Sequence, residues 1–278
     1  MKTRFIFIQC TLLILSVILF NACDQDVWLK ELAADGYPRV SPDGKWIVYY
    51  FGVVNGDPNK YPASGLYIMD IEGRQKQLLY EGIGGFSPHW SPDGQQIVTM
   101  KGIITLKHNV MVDFRPVSDT TLIFPMWSPD GKTILFSHKL DFYLCDTLFQ
   151  NKRKLPLKGS YPRWMPDGKR IIYIGYENGT ICISDTLRGN TVTFANDGGE
   201  YPTCSPDGSK IAWGKYDELY VMNSDGTEPR FFDKGYQPAW TPDSKYLVYS
   251  KSDNKEWKSL FIWKTSIDGK ERVQLTKH

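Results

Sequence analysis

One short phrase occurs six times along this chain of 278 residues. In each copy a proline is followed four residues later by a second proline and then by an aspartate. Successive second prolines are 50, 37, 37, 40 and 36 residues apart. The proline pairs are Pro38 and Pro42, Pro88 and Pro92, Pro125 and Pro129, Pro162 and Pro166, Pro202 and Pro206, and Pro238 and Pro242. A period in this range indicates an array of similar supersecondary units that bury their apolar faces against one another.

Each unit contains four runs of β-prone residues and no helical periodicity. The Pro-Asp-Gly step is typical of a tight turn between the first two runs, because proline presets one backbone angle and glycine accepts a positive one. In the first unit the later runs are Lys45–Tyr50, Gly65–Asp70 and a segment from Arg74. We therefore predict an all-β fold, a six-bladed β-propeller of four-stranded antiparallel blades, with a β-sandwich as the alternative. In the second unit the third and fourth strands are expected within Gly102–Phe124.

The repeated phrase resembles that of the TolB-type propellers, which carry Pro-x-Trp-Ser-Pro-Asp-Gly in each blade. The copy that ends at Gly131 reads FPMWSPDG, and the resemblance covers Tyr37 to His278. The departures are Val40 and Cys204 in place of tryptophan, Met165 in place of serine and Ser244 in place of glycine. TolB carries a separate α/β domain before its propeller. The resemblance therefore implies a TolB-like propeller that lacks the N-terminal, partner-engaging domain.

The first 22 residues have the pattern of a bacterial export signal. Lys2 and Arg4 precede the apolar stretch Phe5–Phe20, which is shorter than a membrane-spanning helix requires. A small residue then stands directly before Cys23, which predicts cleavage there and lipid attachment to the cysteine thiol. Plain secretion and an uncleaved anchor are the alternatives. We expect a membrane-anchored lipoprotein of the cell envelope, on the periplasmic side or the cell surface.

We divide the chain into a lipoprotein-type signal peptide (1–22), a short tether (23–36) and the propeller (37–278). Without the two basic residues of the signal, 31 basic residues face 31 acidic ones. This balance argues against nucleic acid as a partner. We expect a monomer.

Three further cysteines, Cys145, Cys182 and Cys204, occupy strand positions that are apolar in other repeats. This placement favours free buried thiols. A Cys145–Cys182 disulfide is the alternative.

The chain offers few residues for catalysis. The four histidines are scattered, with no metal-binding or nucleophile motif around them: His89, His108, His138 and His278. The aspartate of each repeat recurs at a turn, which favours a structural role. We expect neither a cofactor nor a metal, with calcium at an Asp-rich turn as a weaker alternative.

Two features are candidates for binding at the end of the ring opposite the Pro-Asp turns. The first is an aromatic residue that opens each repeat: Tyr37, Phe86, Phe124, Tyr161, Tyr201 and Tyr236. Such rings could stack on a peptide or a sugar, or instead fill gaps between blades. The second is a pair of long loops, 51–64 and 251–258, which would form a wall that includes Trp257. Ordinary surface variation is the alternative for these loops.

Two arginines follow the first proline in opposite blades of the predicted ring. Arg39 and Arg163 could bind an anion such as a carboxylate terminus, or simply line a solvated channel. From these features we expect a non-catalytic, envelope-anchored binding or scaffold propeller that docks a protein, peptide or glycan. The alternatives are a propeller enzyme of the glycan lyase or hydrolase kind, with its site in the central channel, and a purely structural envelope component. The enzyme would need His89 near one of these arginines and a carboxylate in the channel.

Overall fold

A computed structural model of the protein describes residues 32–54, 57, 59–82, 87–117, 122–177, 179–194, 198–252 and 259–278. Within these ranges the backbone forms 23 strands and no helix. Accordingly, none of the described residues belongs to a helix that could cross a membrane.

The strands of the first three blades follow one another in chain order. Blade one contains β1 (Leu32–Val40), β2 (Trp46–Val54), β3 (Gly65–Asp70) and β4 (Gln77–Glu81). Blade two contains β5 (His89–Trp90), β6 (Gln96–Thr99), β7 (Gly102–Lys107) and β8 (Val110–Pro116). Blade three contains β9 (Ile123–Trp127), β10 (Thr133–His138), β11 (Asp141–Asp146) and the first half of β12 (Arg153–Trp164). The later strands of blade two thus lie in the predicted segment.

The long strand β12 continues as the innermost strand of blade four, so one strand serves two blades. Blade four adds β13 (Arg170–Gly175), β14 (Ile181–Asp185) and β15 (Thr191–Thr193). Blade five contains β16 (Glu200–Cys204), β17 (Lys210–Lys215), β18 (Glu218–Asn223) and β19 (Arg230–Lys234). Blade six contains β20 (Tyr236–Trp240), β21 (Tyr246–Ser252), β22 (Ser259–Ser266) and β23 (Arg272–Gln274). Consecutive strands pair antiparallel within each blade, which confirms the six-bladed fold.

The Pro-Asp turns are held by a small hydrogen-bond network. The Ser41 hydroxyl donates to Asp43 Oδ1 at 2.6 Å and accepts from the Trp46 N–H at 3.0 Å. Blade three repeats this arrangement, and there the Ser128 hydroxyl lowers the pKa of Asp130. The hydroxyl of the serine or threonine before the proline thus connects the aspartate of the turn to the start of the second strand. The aspartates therefore have a structural role in the turns.

Two departures from the repeat have visible compensations. Blade four has Met165 instead of the hydroxyl residue, and Asp167 there accepts a hydrogen bond from Arg170 Nε at 2.6 Å. Blade six has Ser244 instead of glycine, with φ at 61°. Its hydroxyl accepts a hydrogen bond from the Asp207 N–H at 3.1 Å and so connects the turns of blades five and six.

The turns also contact one another around one end of the ring. In four blades the turn glycine lies against the second proline of the preceding blade. These pairs are Gly94 with Pro42, Gly131 with Pro92, Gly168 with Pro129 and Gly44 with Pro242. The last pair joins blade six to blade one and therefore closes the ring at this end.

Ring closure also involves residues before the predicted start of the propeller. Strand β1 begins at Leu32, whereas the repeat suggested Tyr37 as the first blade residue. Its opening residues pair antiparallel with the far end of β2, and Ala33 and Ala34 pair in parallel with β22 of blade six. Residues 32–36, assigned above to the tether, are therefore part of the sheet, because two neighbouring strands supply hydrogen-bond partners for them.

The last residues of the chain pack on the same junction. Asp35 is buried, its Oδ2 lies 3.8 Å from His278 Nδ1, and burial raises the pKa of this carboxyl to about 7. The imidazole of His278 stacks on Phe261 with ring centroids 4.5 Å apart. The junction of blades six and one thus combines sheet pairing with side-chain packing from both ends of the described chain.

The apolar core lies between blades. Among the described residues, six buried clusters each combine side chains of two neighbouring blades. Cys145 and Cys182 belong to different clusters, and Cys204 packs at the edge of a third. All three thiols are free, so the alternative Cys145–Cys182 disulfide is wrong. Burial raises the pKa of Cys145 to about 12, which keeps this thiol protonated at neutral pH.

Candidate functional site

In five blades a bulge near the start of the innermost strand sets the direction of the residue before the first proline. In blade one Gly36 pairs with Tyr50 and Arg39 with Val48, so two residues of β1 face one residue of β2. The bulged pair is Tyr37 and its proline, and proline is suited to this place because it has no N–H to contribute to the ladder. Tyr37 has a φ of 54°, a left-handed conformation that is uncommon for a bulky side chain.

The same conformation recurs directly before the first proline in other blades. The residues and their φ angles are Tyr37 at 54°, Phe124 at 51°, Tyr161 at 54°, Tyr201 at 51° and Gln237 at 56°. Because the same strained backbone conformation recurs at one position of the repeat, we infer that it serves to orient the side chain at that position.

Four of these side chains meet on the axis of the ring, and we call them the axial aromatic cluster: Tyr37, Phe124, Tyr161 and Tyr201. The ring centroids of Tyr37 and Phe124 are 6.5 Å apart, and each lies 6.0 Å from that of Tyr201. These three residues come from blades one, three and five, which can only meet at the centre of a six-membered ring. Tyr161 of blade four completes the cluster at 4.2 Å from Tyr201.

The axial aromatic cluster closes the channel. Tyr201 is only 3% exposed, whereas the other three rings are half-buried. The hydroxyls of Tyr37 and Tyr201 lie 3.4 Å apart, and burial raises the pKa of Tyr201 well above its usual range. The cluster therefore forms an aromatic floor across the channel, with the buried ring of Tyr201 at its centre. The sequence instead suggested separate aromatic residues around an open channel.

The remaining predicted aromatic residues take other positions or lie outside the described residues. Tyr236 stands two residues before its proline, and Gln237 occupies the position of the other rings. The Gln237 side-chain oxygen accepts a hydrogen bond from the Tyr37 N–H at 2.7 Å, across the junction of blades six and one. Phe86 and Trp257 lie outside the described residues, as does Cys23. Counting residues back from each proline could have identified Gln237.

Two exposed tyrosines lie at the same end of the ring as the axial aromatic cluster. Tyr176 follows β13 and Tyr216 follows β17, at the hairpins between the second and third strands of blades four and five. They are 57% and 81% exposed. Sequence reasoning did not single them out, because a lone tyrosine in a hairpin has no distinctive pattern. Together with the cluster they give this end, which we call the aromatic face, an aromatic surface.

The opposite end of the channel holds a cavity of about 370 Å³. All six blades contribute to its walls, and all six second prolines are among them: Pro42, Pro92, Pro129, Pro166, Pro206 and Pro242. The cavity therefore lies on the axis at the turn end. Arg39 and His89 line it, together with tryptophans and methionines.

The two arginines predicted to act together lie in different surroundings. Arg39 lines this cavity, which we call the turn-end cavity. Arg163, at the same position of blade four, does not line it, and the first cavity-lining residue of that blade is Trp164. Burial lowers the pKa of Arg163 to about 10, an effect that the nearby Tyr201 opposes in part. The Arg163 guanidinium therefore remains charged at neutral pH.

Burial lowers the pKa of His89 to about 4, so this imidazole is neutral at pH 7. In the part of the chain that the structure describes, no carboxylate lines the cavity beside it. Nor do these residues include three or more metal-ligating side chains grouped together. The cavity thus brings together a cation and a neutral imidazole, without the acid and base pair that glycoside hydrolysis uses.

Comparisons with known proteins agree with this architecture. The family described as the TolB beta propeller domain matches residues 53–278. The crystal structure of TolB from Acinetobacter baumannii superimposes with a TM-score of 0.64 at 20% identity, over 89% of this chain and 63% of that one. A TolB structure from Agrobacterium tumefaciens gives a TM-score of 0.62 at 20% identity, over 73% of this chain and 84% of that one. This chain therefore spans less than two thirds of the Acinetobacter protein, and no curated protein matches it.

Proposed function

Because the chain belongs to the TolB beta-propeller family, we propose that it is a non-catalytic binding and scaffold propeller of the cell envelope. One observation carries this proposal. Side chains of four blades are held on the axis by strained backbone and present an aromatic floor at the aromatic face. A partly exposed aromatic surface of this kind on a rigid scaffold is suited to binding a partner.

The partner that fits this surface best is a protein or a peptide. Tyrosine offers a large apolar ring with a hydrogen-bonding hydroxyl, and such residues are enriched at the centres of protein interfaces. Tyr176 and Tyr216 extend the aromatic surface outward from the axis over blades four and five. A glycan could stack on the same rings and is the second candidate ligand. The protein itself would act as a monomer.

The docking surface can be tested by photo-crosslinking in intact envelopes. We expect a photoreactive phenylalanine in place of Tyr216 to give a discrete crosslinked partner. The matched control is Leu187, which is 76% exposed in the hairpin that follows β14, at the turn end of blade four. A partner that crosslinks equally well from Leu187 would contradict docking on the aromatic face.

Direct binding by the purified protein completes this test. The double variant Tyr176→Ser and Tyr216→Ser should bind the crosslinked partner about thirtyfold more weakly, because truncation of each interface tyrosine costs on the order of 1 kcal/mol. Leu187→Ser should bind like the unmodified chain. Equal affinity of all three proteins would rule out the aromatic face as the docking surface.

We further propose that Cys23 carries a lipid anchor after export. The charged start, the apolar stretch and the small residue before Cys23 support this proposal. Cys23→Ser should move the protein from the membrane fraction to the soluble fraction of lysed cells, because the acyl chains supply the attachment. Ala22→Gly, which keeps a small residue before the cysteine, should stay with the membranes. Membrane partitioning that does not change in Cys23→Ser would contradict the anchor.

A further inference from the structure

Glu200 carries a half-buried carboxylate at the aromatic face. It opens β16 and stands directly before Tyr201 of the axial aromatic cluster. Within the described structure no residue donates a hydrogen bond to its side chain or forms an ion pair with it, and its pKa is raised by burial alone. Other carboxylates at this end of the ring have partners: Asp141 with Lys154, Asp217 with Lys234, and Glu218 with the Tyr220 hydroxyl.

The fold itself does not require a charge at this position. In the other five repeats the residue two places before the first proline is uncharged: Gly36, Phe86, Ile123, Ser160 and Tyr236. Across the sheet Glu200 is paired with Gly214 of β17, which has no side chain to contact it. Because burial raises the pKa of Glu200, the ionised carboxylate lowers the stability of the fold at neutral pH. A charge that costs stability and makes no described contact favours a role in binding.

Two tyrosines lie close to the Glu200 carboxylate. Tyr236 occupies the same repeat position in blade six, which is the neighbour of blade five. Burial raises the pKa of Tyr236, and the charges of Asp217 and Glu200 raise it further. Burial is also the main cause of the raised pKa of Tyr201, and Glu200 again adds to the effect. A carboxylate beside tyrosine rings attracts cations and repels anions.

We propose that Glu200 binds a lysine or arginine side chain of the partner that docks on the aromatic face. The cation would pair with the carboxylate, lie beside the half-buried ring of Tyr236 and remove the cost of the unpaired charge. Arginine fits best, because its guanidinium is weakly hydrated, stacks on aromatic rings and donates two parallel hydrogen bonds to a carboxylate. This inference rests on the proposed docking and adds the charge of the group that the partner inserts there.

A metal ion matches this carboxylate less well than a basic side chain. Calcium takes several oxygen ligands. The described residues contain no group of three or more side chains that could hold a metal ion. A single carboxylate, by contrast, is sufficient to pair with a guanidinium or an ammonium group.

A probe that carries only the side chain tests the site without the partner. N-acetyl-arginine amide presents a guanidinium and no charged terminus, and N-acetyl-citrulline amide has the same shape without the charge. We expect the purified protein to bind the arginine probe at least about fivefold more tightly than the citrulline probe, the difference that one partly exposed ion pair supplies. Ligand-observed NMR titration measures such weak binding. Equal affinity for the two probes, or no binding of the arginine probe, would contradict the proposal.

Glu200→Gln keeps the size of the side chain and removes its charge. This variant should lose the preference for arginine over citrulline, and its melting temperature at neutral pH should equal or exceed that of the unmodified protein. The matched control is Glu177→Gln, which removes an exposed charge from the hairpin beside Tyr176 at the same end of the ring and should keep the preference. The proposal is wrong if Glu200→Gln keeps the preference or if Glu177→Gln loses it equally.

The partner identified by crosslinking from Tyr216 separates this inference from docking itself. Glu200→Gln should weaken its binding about tenfold and reduce the dependence of affinity on ionic strength, because one ion pair has been lost. The double variant Tyr176→Ser and Tyr216→Ser should weaken binding and leave that dependence unchanged. A crosslinked partner that binds Glu200→Gln with unchanged affinity and salt dependence would refute the cation site and leave the docking surface intact. If no partner crosslinks, the docking proposal fails, and the comparison of the two probes alone decides whether Glu200 binds a cation.

Discussion

Tyr201→Ala is expected to lower the free energy of unfolding by roughly 3–5 kcal/mol, the range for removal of a buried aromatic side chain. Tyr201 is the central ring of the axial aromatic cluster and contacts the rings of Tyr37, Phe124 and Tyr161. No neighbour can collapse into the space, because each of these rings is fixed by its own bulge in a separate blade. Urea denaturation followed by tryptophan fluorescence measures the change.

Two matched variants separate packing from other effects. Tyr216→Ala removes the same side chain from an exposed hairpin and should change stability by no more than about 0.5 kcal/mol. Tyr201→Phe keeps the ring and loses only the contact with the Tyr37 hydroxyl, so it should remain within about 1 kcal/mol of the original stability. A cost below about 1 kcal/mol for Tyr201→Ala would mean that the cluster is loosely packed and that the channel is not closed by it.

The packing role of Tyr201 decides which residues can be used to probe the aromatic face. If Tyr201→Ala unfolds part of the ring, a loss of partner binding in that variant says nothing about contact with the partner. The exposed Tyr176 and Tyr216 are better probes, since their truncation leaves the axial packing intact. The half-buried Tyr37 and Tyr161 lie between these cases, because they combine packing against Tyr201 with exposure at the aromatic face.

The sequence was sufficient for the fold because each repeat specifies its own turn. The network of Ser41, Asp43 and Trp46 forms within six consecutive residues, so its signature is local and can be read directly from the chain. The spacing of the repeats then implies six similar units, and the clusters between blades follow from their stacking. The same locality explains why the structural role of the turn aspartates was predictable.

Features that depend on contacts between distant residues were not predictable. The strand character of Leu32–Gly36 depends on β2 and on β22, and β22 lies more than 200 residues away. The separation of Arg39 from Arg163 also depends on the surroundings of each side chain, since both occupy the same position of the repeat. The sequence favoured Tyr236 over Gln237 for a different reason. Tyr236 is aromatic, like the residues before the first proline in other blades, but Gln237 is the residue directly before Pro238.

A buried ionic network joins blade five to blade six and contrasts with the local networks of the turns. Asp233 at the outer strand of blade five accepts hydrogen bonds from Lys251 Nζ at 2.9 Å and from the Tyr249 hydroxyl. Arg272 Nη2 lies 3.3 Å from the same carboxylate. Tyr249 also lies within 2.8 Å of the Thr265 hydroxyl, so the network crosses the second and third strands of blade six. One carboxylate therefore pairs with two cations at this interface.

Asp233→Ala should destabilise the protein by about 3–5 kcal/mol, because it leaves the largely buried Lys251 without its counter-ion and a buried tyrosine hydroxyl without its acceptor. Asp217→Ala removes the partner of the exposed Lys234 on the same blade and should cost no more than about 1 kcal/mol. Asp233→Asn should lie between the two, since the amide keeps an acceptor for Tyr249 but loses the charge. Urea denaturation at neutral pH compares the three variants. Similar small losses for Asp233→Ala and Asp217→Ala would show that water reaches Lys251 and that the charge at this interface is effectively solvated.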